Sequence, residues 1–364
     1  HPEHPRCDPV PAHLRGLLMA LGIAERLLTW FWQHRRLLPF RQEPSAYHIW
    51  VSEIMLQQTR VAAALPYYER FVAELPDPAA LAACPPDRLR KLWQGLGYYN
   101  RAANMQKAAR LVCEQYGGSL PADWQALRAL PGIGEYTAGA IASIAFGIRA
   151  PAVDGNVLRV FARLYNDDAD ITKPAVRRRF TGLVLDEMPP DAPGPFNEAL
   201  MELGALVCLP GAPACASCPV AALCRGRAAG RAARLPCKPP RKEKQRLPVT
   251  VALVESEAGL LLQRRPAKGL LANLWQPAAF EGRSLDCAGL DAALAPLGLQ
   301  VEWQRALPPA RHVFTHRIWE LSGWQGKAPA VPLPAGYAWA QPDELAERYP
   351  VPSAFAAYLP GRGL

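Results

Sequence analysis

The sequence predicts a multidomain chain: an all-α region of many short helices carrying a cysteine-rich loop, followed by a smaller α+β domain. Two observations predict it. Up to about residue 224, apolar residues recur at helical spacing, as in Tyr47–Ala64, Leu89–Tyr116 and Tyr136–Phe146, with Pro- or Gly-containing breaks between them. After Pro248 the period changes. Val249–Val254 and Gly259–Gln263 read as two strands around a Glu-Ser-Glu-Ala-Gly turn, and Val313–Leu321 alternates as a further strand. Helices are expected from about Asp286 to Leu297 and over Pro342–Arg348. Between the two regions, residues 225–247 are rich in Arg, Lys, Pro and Ala and poor in large apolar residues. This stretch reads as a basic linker, a solvated connector that could also touch DNA phosphate. The expected domains are therefore 1–224, 225–247 and 248–364.

Length and composition support that division. A chain of 364 residues is long for one domain and natural for two. The formal charge of +9, from 41 Lys and Arg against 32 Asp and Glu, weakly favours a polyanionic partner. The longest apolar run, Ala138–Ile148, is broken by Gly139, Ser143 and Gly147 and is too short to span a bilayer, so no membrane partner is expected. No basic-then-apolar secretory signal opens the sequence, which begins at His1 rather than Met. Nine cysteines is an odd number, and they cluster, which argues for a metal site in a reducing compartment over a complete disulfide framework.

Four of them, Cys208, Cys215, Cys218 and Cys224, follow a Cys-x6-Cys-x2-Cys-x5-Cys spacing. Four thiolates on one short loop suit either zinc or a [4Fe–4S] cluster, and spacing alone leaves both open. Upstream, Leu130-Pro131-Gly132-Ile133-Gly134 lies between two helical segments. The glycines allow a tight turn, and free backbone N–H groups at the start of the second helix can bind phosphate. A plain helix-joining turn is the other reading.

Two carboxylates carry the chemical argument. Glu53 interrupts a long apolar stretch in Trp50–Thr59. Burial there would raise its pKa and suit a proton donor, whereas a solvated helix face would leave it an ordinary surface charge. Asp154 directly precedes the apolar run Val157–Leu164, where Asp is a preferred N-cap. Capping would also fix the carboxylate and keep it ionised. Breaking an N-glycosidic bond needs such a pair: an acid to help the base leave and an anion to face the oxocarbenium-like sugar.

The cysteine spacing after the Pro-Gly-Ile-Gly turn resembles the endonuclease III superfamily of helix-hairpin-helix base-excision glycosylases. The segment around Glu53 resembles the adenine DNA glycosylase branch. The resemblance runs from about Leu28 to Leu359. It implies a structural [4Fe–4S] cluster on Cys208, Cys215, Cys218 and Cys224. It makes Glu53 the residue that protonates adenine at N7 and later assists water, and Asp154 the transition-state carboxylate. Arg36, Asn156 and Glu198 match active-site positions, Gln58 and Tyr98 match residues that wedge into the duplex, and Gly132 and Gly134 match the DNA-gripping turn. Tyr136, expected among the residues at the substrate and DNA, stands where the lyase branch carries its Schiff-base lysine, so hydrolysis with at most weak strand cleavage is implied; Lys107 and Lys173 are the other amines the sequence leaves open.

The C-terminal part resembles the Nudix-like domain of the same enzymes through Leu262-Gln263-Arg264-Arg265 and Tyr349–Ala354. It lacks a glutamate-rich pyrophosphatase box, so no Mg²⁺ site is expected there. Phe314, Thr315 and His316 match the loop that recognises 8-oxoguanine, with Thr in place of the usual Ser. Further departures are Leu274–Ala279 and Phe40, where Trp is frequent. The implied partner is double-stranded DNA with adenine opposite 8-oxoguanine or guanine, and one active site per chain suits a monomer. The nearest competing reading is endonuclease III, which excises oxidised pyrimidines and then cuts the strand; a nonenzymatic damage-binding protein of the same fold and a DNA-binding iron–sulfur protein of another fold are the others.

Overall fold

The computed structural model describes residues 22–42, 44–240 and 243–359, so the reading of the chain's start lies outside the described residues. Helix starts follow local signals. Ser45, Asp77, Asp123 and Asp154 each accept a backbone N–H two or three residues on, and so begin α3 (Ala46–Leu56), α5 (Pro78–Ala83), α8 (Trp124–Ala129) and α10 (Gly155–Leu164). Proline opens α5, α6 (Pro86–Leu92), α11 (Pro174–Glu187) and α12 (Pro193–Leu206), where its missing N–H costs nothing. The remaining helices of this region are α1 (Ile23–His34), α2 (Pro39–Gln42), α4 (Val61–Glu74), α7 (Asn100–Tyr116) and α9 (Glu135–Phe146).

Two expected helices are broken. Tyr47–Ala64 splits into α3 and α4 at Gln58, which takes a left-handed φ of 61°. Leu89–Tyr116 splits between α6 and α7, where Gly95, Gly97 and Tyr98 all have positive φ. At the first break the apolar period continues, so periodicity alone could not locate it; at the second, Gly95 and Gly97 mark the break in the sequence itself. In the basic stretch 225–247, α13 (Arg225–Ala228) and a 3₁₀ turn at Ala232–Arg234 precede the first strand.

By packing, the chain forms two compact units. One comprises the described residues up to Gln57 together with Leu111–Pro240; the other joins Gln58–Arg110 to the described residues after Pro240. The core of the first unites α1, α10, α11 and α12 through Leu27, Phe31, Phe161, Phe180, Phe196 and Leu200, all fully buried.

The second contains a mixed sheet of β1 (Gln245–Ser256), β2 (Gly259–Arg264), β3 (Trp275–Glu281), β4 (Glu302–Ala306), β5 (Ala310–Val313), β6 (Arg317–Lys327) and β7 (Tyr337–Ala340). The order is β4-β6-β1-β3-β2-β7, with β5 beside β6; β1 and β6 run parallel and the other pairs antiparallel. Val249, Val251 and Leu253 enter one core with Trp319 and Phe355. Ala252 and Val254 enter the other with Leu290 and Leu294 of α14 (Cys287–Leu294). Both faces of β1 are covered, which is why its sequence is nearly continuously apolar. The expected helix near the C-terminus is α15 (Pro342–Glu347). The strand expected over Val313–Leu321 is interrupted. β5 ends at Val313, β6 begins at Arg317, and Phe314–His316 form the connecting turn, because the two strands pair with each other. Among the described residues no helix is long and apolar enough to cross a membrane.

Candidate active site

Helix α3 has almost no polar face: Tyr47 and every residue from Ile49 to Met55 are buried. Glu53 is carried into the interior with them, only 7% exposed, which removes the surface-charge reading. Tyr136, in the first turn of α9, donates its hydroxyl to Glu53 Oε2 at 2.6 Å. Burial pushes the Glu53 carboxyl up to about 7; Asp154 and Glu198 add to the rise, while the Tyr136 hydrogen bond and the Arg41 charge oppose it.

Asp154 caps α10 as expected. Its Oδ1 accepts the N–H groups of Asn156 and Val157, each at 2.8 Å, and its Oδ2 accepts Asn156 Nδ2 at 2.9 Å. Asn156 Oδ1 in turn accepts Arg159 Nη2 at 2.9 Å. Burial pushes the Asp154 carboxyl above the usual range, and the hydrogen bonds from Val157 and Asn156 work against that rise. The approach to Asp154 is pinned by the buried Asn197 amide, which accepts Ala152 N–H and donates to Ala150 O and Ser143 Oγ. Gly139 of α9 lies so close that an added Cβ would sit 2.2 Å from Pro151 O. Gly139→Ala should therefore lower stability by about 1–3 kcal/mol; an unchanged urea midpoint would contradict this packing.

A charged quartet adjoins the pair. Glu198 and Glu202 stand one turn apart on α12. Arg41 of α2 meets Glu198 Oε1 through Nε and Glu202 Oε2 through Nη2, both at 3.0 Å. Arg36 grips Glu202 with Nε at 2.7 Å, Nη2 at 3.0 Å and its backbone N–H at 3.1 Å. Burial raises Glu198, whereas in Glu202 the two arginines outweigh burial and hold the carboxyl at about 2. Arg41, Glu202 and the Tyr136–Glu53 bond were missed in sequence. The Glu198/Glu202 spacing, which puts two carboxylates on one helix face, was the available signal.

The expected hairpin is present. Helix α8 leads through Leu130–Gly134 into α9, with Gly132 at φ 79° and open space around the Cα of Gly134. Beyond α12, Cys208, Cys215, Cys218 and Cys224 line one cavity, none of them in a disulfide. Arg163, 1% exposed, lines it too; its Nη1 donates to Cys208 Sγ at 3.2 Å, and its buried Nη2 has no hydrogen-bond partner. Among the described residues no three His, Cys, Asp or Glu side chains converge on a single ion position.

In the second unit, Gln58, Tyr98, Phe314, Thr315 and His316 line one pocket. Gln58 and Tyr98 both hold left-handed φ values, 61° and 48°, a conformation that costs a non-glycine residue about 1 kcal/mol or more. Tyr98 is 48% exposed, so it is not a core ring, and its hydroxyl hydrogen-bonds Thr315 Oγ1. Phe314 packs edge-on against His312 and Trp319, and its carbonyl accepts Lys244 Nζ at 2.7 Å.

Residues 51–184 match the HhH-GPD superfamily of base excision DNA repair proteins, and residues 249–360 match the NUDIX domain. The chain is 35% identical over 395 residues to the adenine DNA glycosylase of Rattus norvegicus, covering 90% of this chain and 76% of that one. The chain belongs to the adenine DNA glycosylase family. It is also 41% identical over 206 residues to the adenine DNA glycosylase of Mycolicibacterium smegmatis, covering 56% of this chain and 69% of that protein. Among solved structures, a thermostable thymine-DNA glycosylase superposes with a TM-score of 0.51 at 29% identity, covering 57% of this chain and 95% of that one. Membership makes this protein a DNA-binding, monofunctional glycosylase of base excision repair, a helix-hairpin-helix catalytic region followed by a Nudix-like domain. Tyr136 agrees with the monofunctional chemistry of this adenine glycosylase family: a phenol hydrogen-bonded to Glu53 offers no amine for a Schiff base.

Proposed function

We propose that this enzyme removes adenine paired with 8-oxoguanine, or with guanine, from duplex DNA by acid-assisted hydrolysis, with Glu53 as the acid and Asp154 as the carboxylate facing the cationic sugar. The observation that carries the reading is the burial of Glu53, which leaves its carboxyl near 7 and substantially protonated at neutral pH. Glu53 delivers its proton to adenine N7, and the electron pair of the glycosidic bond leaves with the base. Asp154, oriented by Asn156, stabilises the oxocarbenium-like sugar. The Glu53 carboxylate then takes a proton from the attacking water. Arg36 and Glu198 belong to the adenine side of this site, and the Gly132–Gly134 turn holds phosphate through free N–H groups.

The second unit supplies recognition of the opposite base. Phe314, Thr315 and His316 form the contact loop, and the strained Gln58 and Tyr98 fill the space left by the flipped adenine. Thr315 keeps the hydroxyl of the family serine.

Cys208, Cys215, Cys218 and Cys224 hold a [4Fe–4S] cluster, and the buried Arg163 with its spare N–H fits an anionic thiolate-bound centre. Burial pushes the Cys218 thiol up to about 11. Bound there, the cluster supplies a structural cross-link, not a step of the reaction. Cys218→Ser should lose most of its iron and inorganic sulfide, read by metal and sulfide analysis; zinc without sulfide in the wild type would refute the assignment. A thiolate-held cluster and a DNA substrate suit a reducing compartment such as the bacterial cytoplasm, and one site per chain suits a monomer.

The direct test is single-turnover base release from duplexes carrying adenine opposite 8-oxoguanine, adenine opposite thymine, or thymine glycol. Fast adenine release from the first, leaving an uncut abasic site, is expected. Equal release opposite thymine would remove the 8-oxoguanine reading, and thymine glycol release with strand cleavage would remove the adenine mechanism.

A further inference from the structure

We propose that Glu202 is a positioning residue that holds Arg36 and Arg41 in place and balances the Arg41 charge facing the acid Glu53. The inference rests on the reading of Glu53 as the acid. Glu202 contacts no reacting atom in that scheme, yet it is the most heavily engaged carboxylate of the site. Its side chain is 1% exposed and accepts four hydrogen bonds: three from Arg36 and one from Arg41. A buried carboxylate so paired stays ionised.

Arg41 is the link to the acid. It is fixed from three sides, by Glu198, by Glu202 and by the Arg36 carbonyl, which accepts its Nη1 at 3.3 Å. The charged and titratable groups facing Glu53 are Tyr136 from α9, Asp154 at the start of α10, Arg41 from α2 and Glu198 from α12. Of these, Arg41 is the cation, and it favours the ionised form of Glu53. Two carboxylates against two guanidinium groups leave the quartet close to neutral. Without the Glu202 charge, Arg36 and Arg41 would face Glu198 alone. The surplus positive charge would draw the proton off Glu53, so less of the acid would be loaded at neutral pH.

The test is the pH dependence of single-turnover adenine release by the full chain, for wild type, Glu202→Gln, Glu202→Asp and Arg41→Gln. The wild type should show an alkaline limb. In Glu202→Gln that limb should move to lower pH by roughly 0.5–1 unit, so the rate falls far more at pH 8 than at pH 6. Glu202→Asp should restore the wild-type limb, and Arg41→Gln should move it to higher pH. A Glu202→Gln enzyme whose rate drops equally at every pH has lost structure only, and the inference fails. If that variant does not fold, an unmoved limb in Arg41→Gln overturns the inference instead. A wild-type profile with no alkaline limb would sink the underlying reading of Glu53, an outcome distinct from a limb that is present and does not move.

Discussion

Glu53→Gln should lower single-turnover adenine release by about a thousandfold, within the range that a positioned general acid contributes. The amide keeps the shape of the side chain and can still accept the Tyr136 hydroxyl, which donates to Oε2 in the wild type. Binding to the mismatched duplex should therefore survive while the proton is lost. The same substitution should change stability in a pH-dependent way. The folded carboxyl has a pKa of about 7 against an ordinary 4.5, so the folded state holds the proton more tightly. That contribution is complete below pH 4.5 and is lost as pH rises through 7. At pH 8 the native protein carries an ionised carboxylate in its interior, at a cost on the order of 3 kcal/mol. Glu53→Gln removes that cost, so the variant should be more stable than wild type in urea at pH 8 and nearly equal at pH 4. An inactive variant destabilised at pH 8 would point to a structural role for Glu53.

Asp154→Asn should lower the same rate by about 10²–10³-fold, the loss typical of one preorganised electrostatic group. The change also disturbs a defined hydrogen-bond pattern. All three donors to Asp154 need acceptors, two at Oδ1 and one at Oδ2. An amide nitrogen in place of Oδ2 would face Asn156 Nδ2, donor against donor. Turning the Asn156 amide to relieve that would take its Oδ1 from Arg159. Since Asn itself caps helices well, a stability loss of only about 1 kcal/mol is expected. Excision at the wild-type rate would show that no anion is needed at the sugar.

These two carboxylates differ in how far the sequence revealed them. The cap role of Asp154 depends on residues 154–157 alone, and local hydrogen bonding is legible locally. The burial of Glu53 is not local: α3 is apolar all round, and what covers its one carboxylate is decided by α9, about eighty positions on. The sequence marks Tyr136 as a residue of the site and as the absence of a lysine but not as the partner of Glu53, because that bond spans 83 residues. The Arg41–Glu202 pair spans 161 residues and left only the α12 spacing as a trace.

The fold shows the same divide. The cysteine loop, the Pro-Gly-Ile-Gly hairpin and β1 and β2 were visible because each is a local pattern. Alternation runs through Phe314–His316 and reads as one strand from Val313 to Leu321; only the β5–β6 pairing makes a turn there, and in the sequence the resemblance alone marks those three residues as a loop. Strands β3, β4 and β7 were not foreseen. β4 and β7 are short, and β3 contains Pro277, which weakens the strand signal. The grouping of Gln58–Arg110 with the C-terminal residues follows from packing, and no local pattern announces it.

The central claim is that a buried, protonated Glu53 starts base departure. Its most direct test is the single-turnover rate of adenine release from an adenine:8-oxoguanine duplex, followed from about pH 5 to about pH 9 with wild-type enzyme and saturating protein. The account predicts an alkaline limb centred near 7 and a roughly tenfold fall per pH unit above it, with DNA binding unchanged across the limb. A rate that holds level or rises through pH 9 would mean that no proton from Glu53 is required, and would contradict the account.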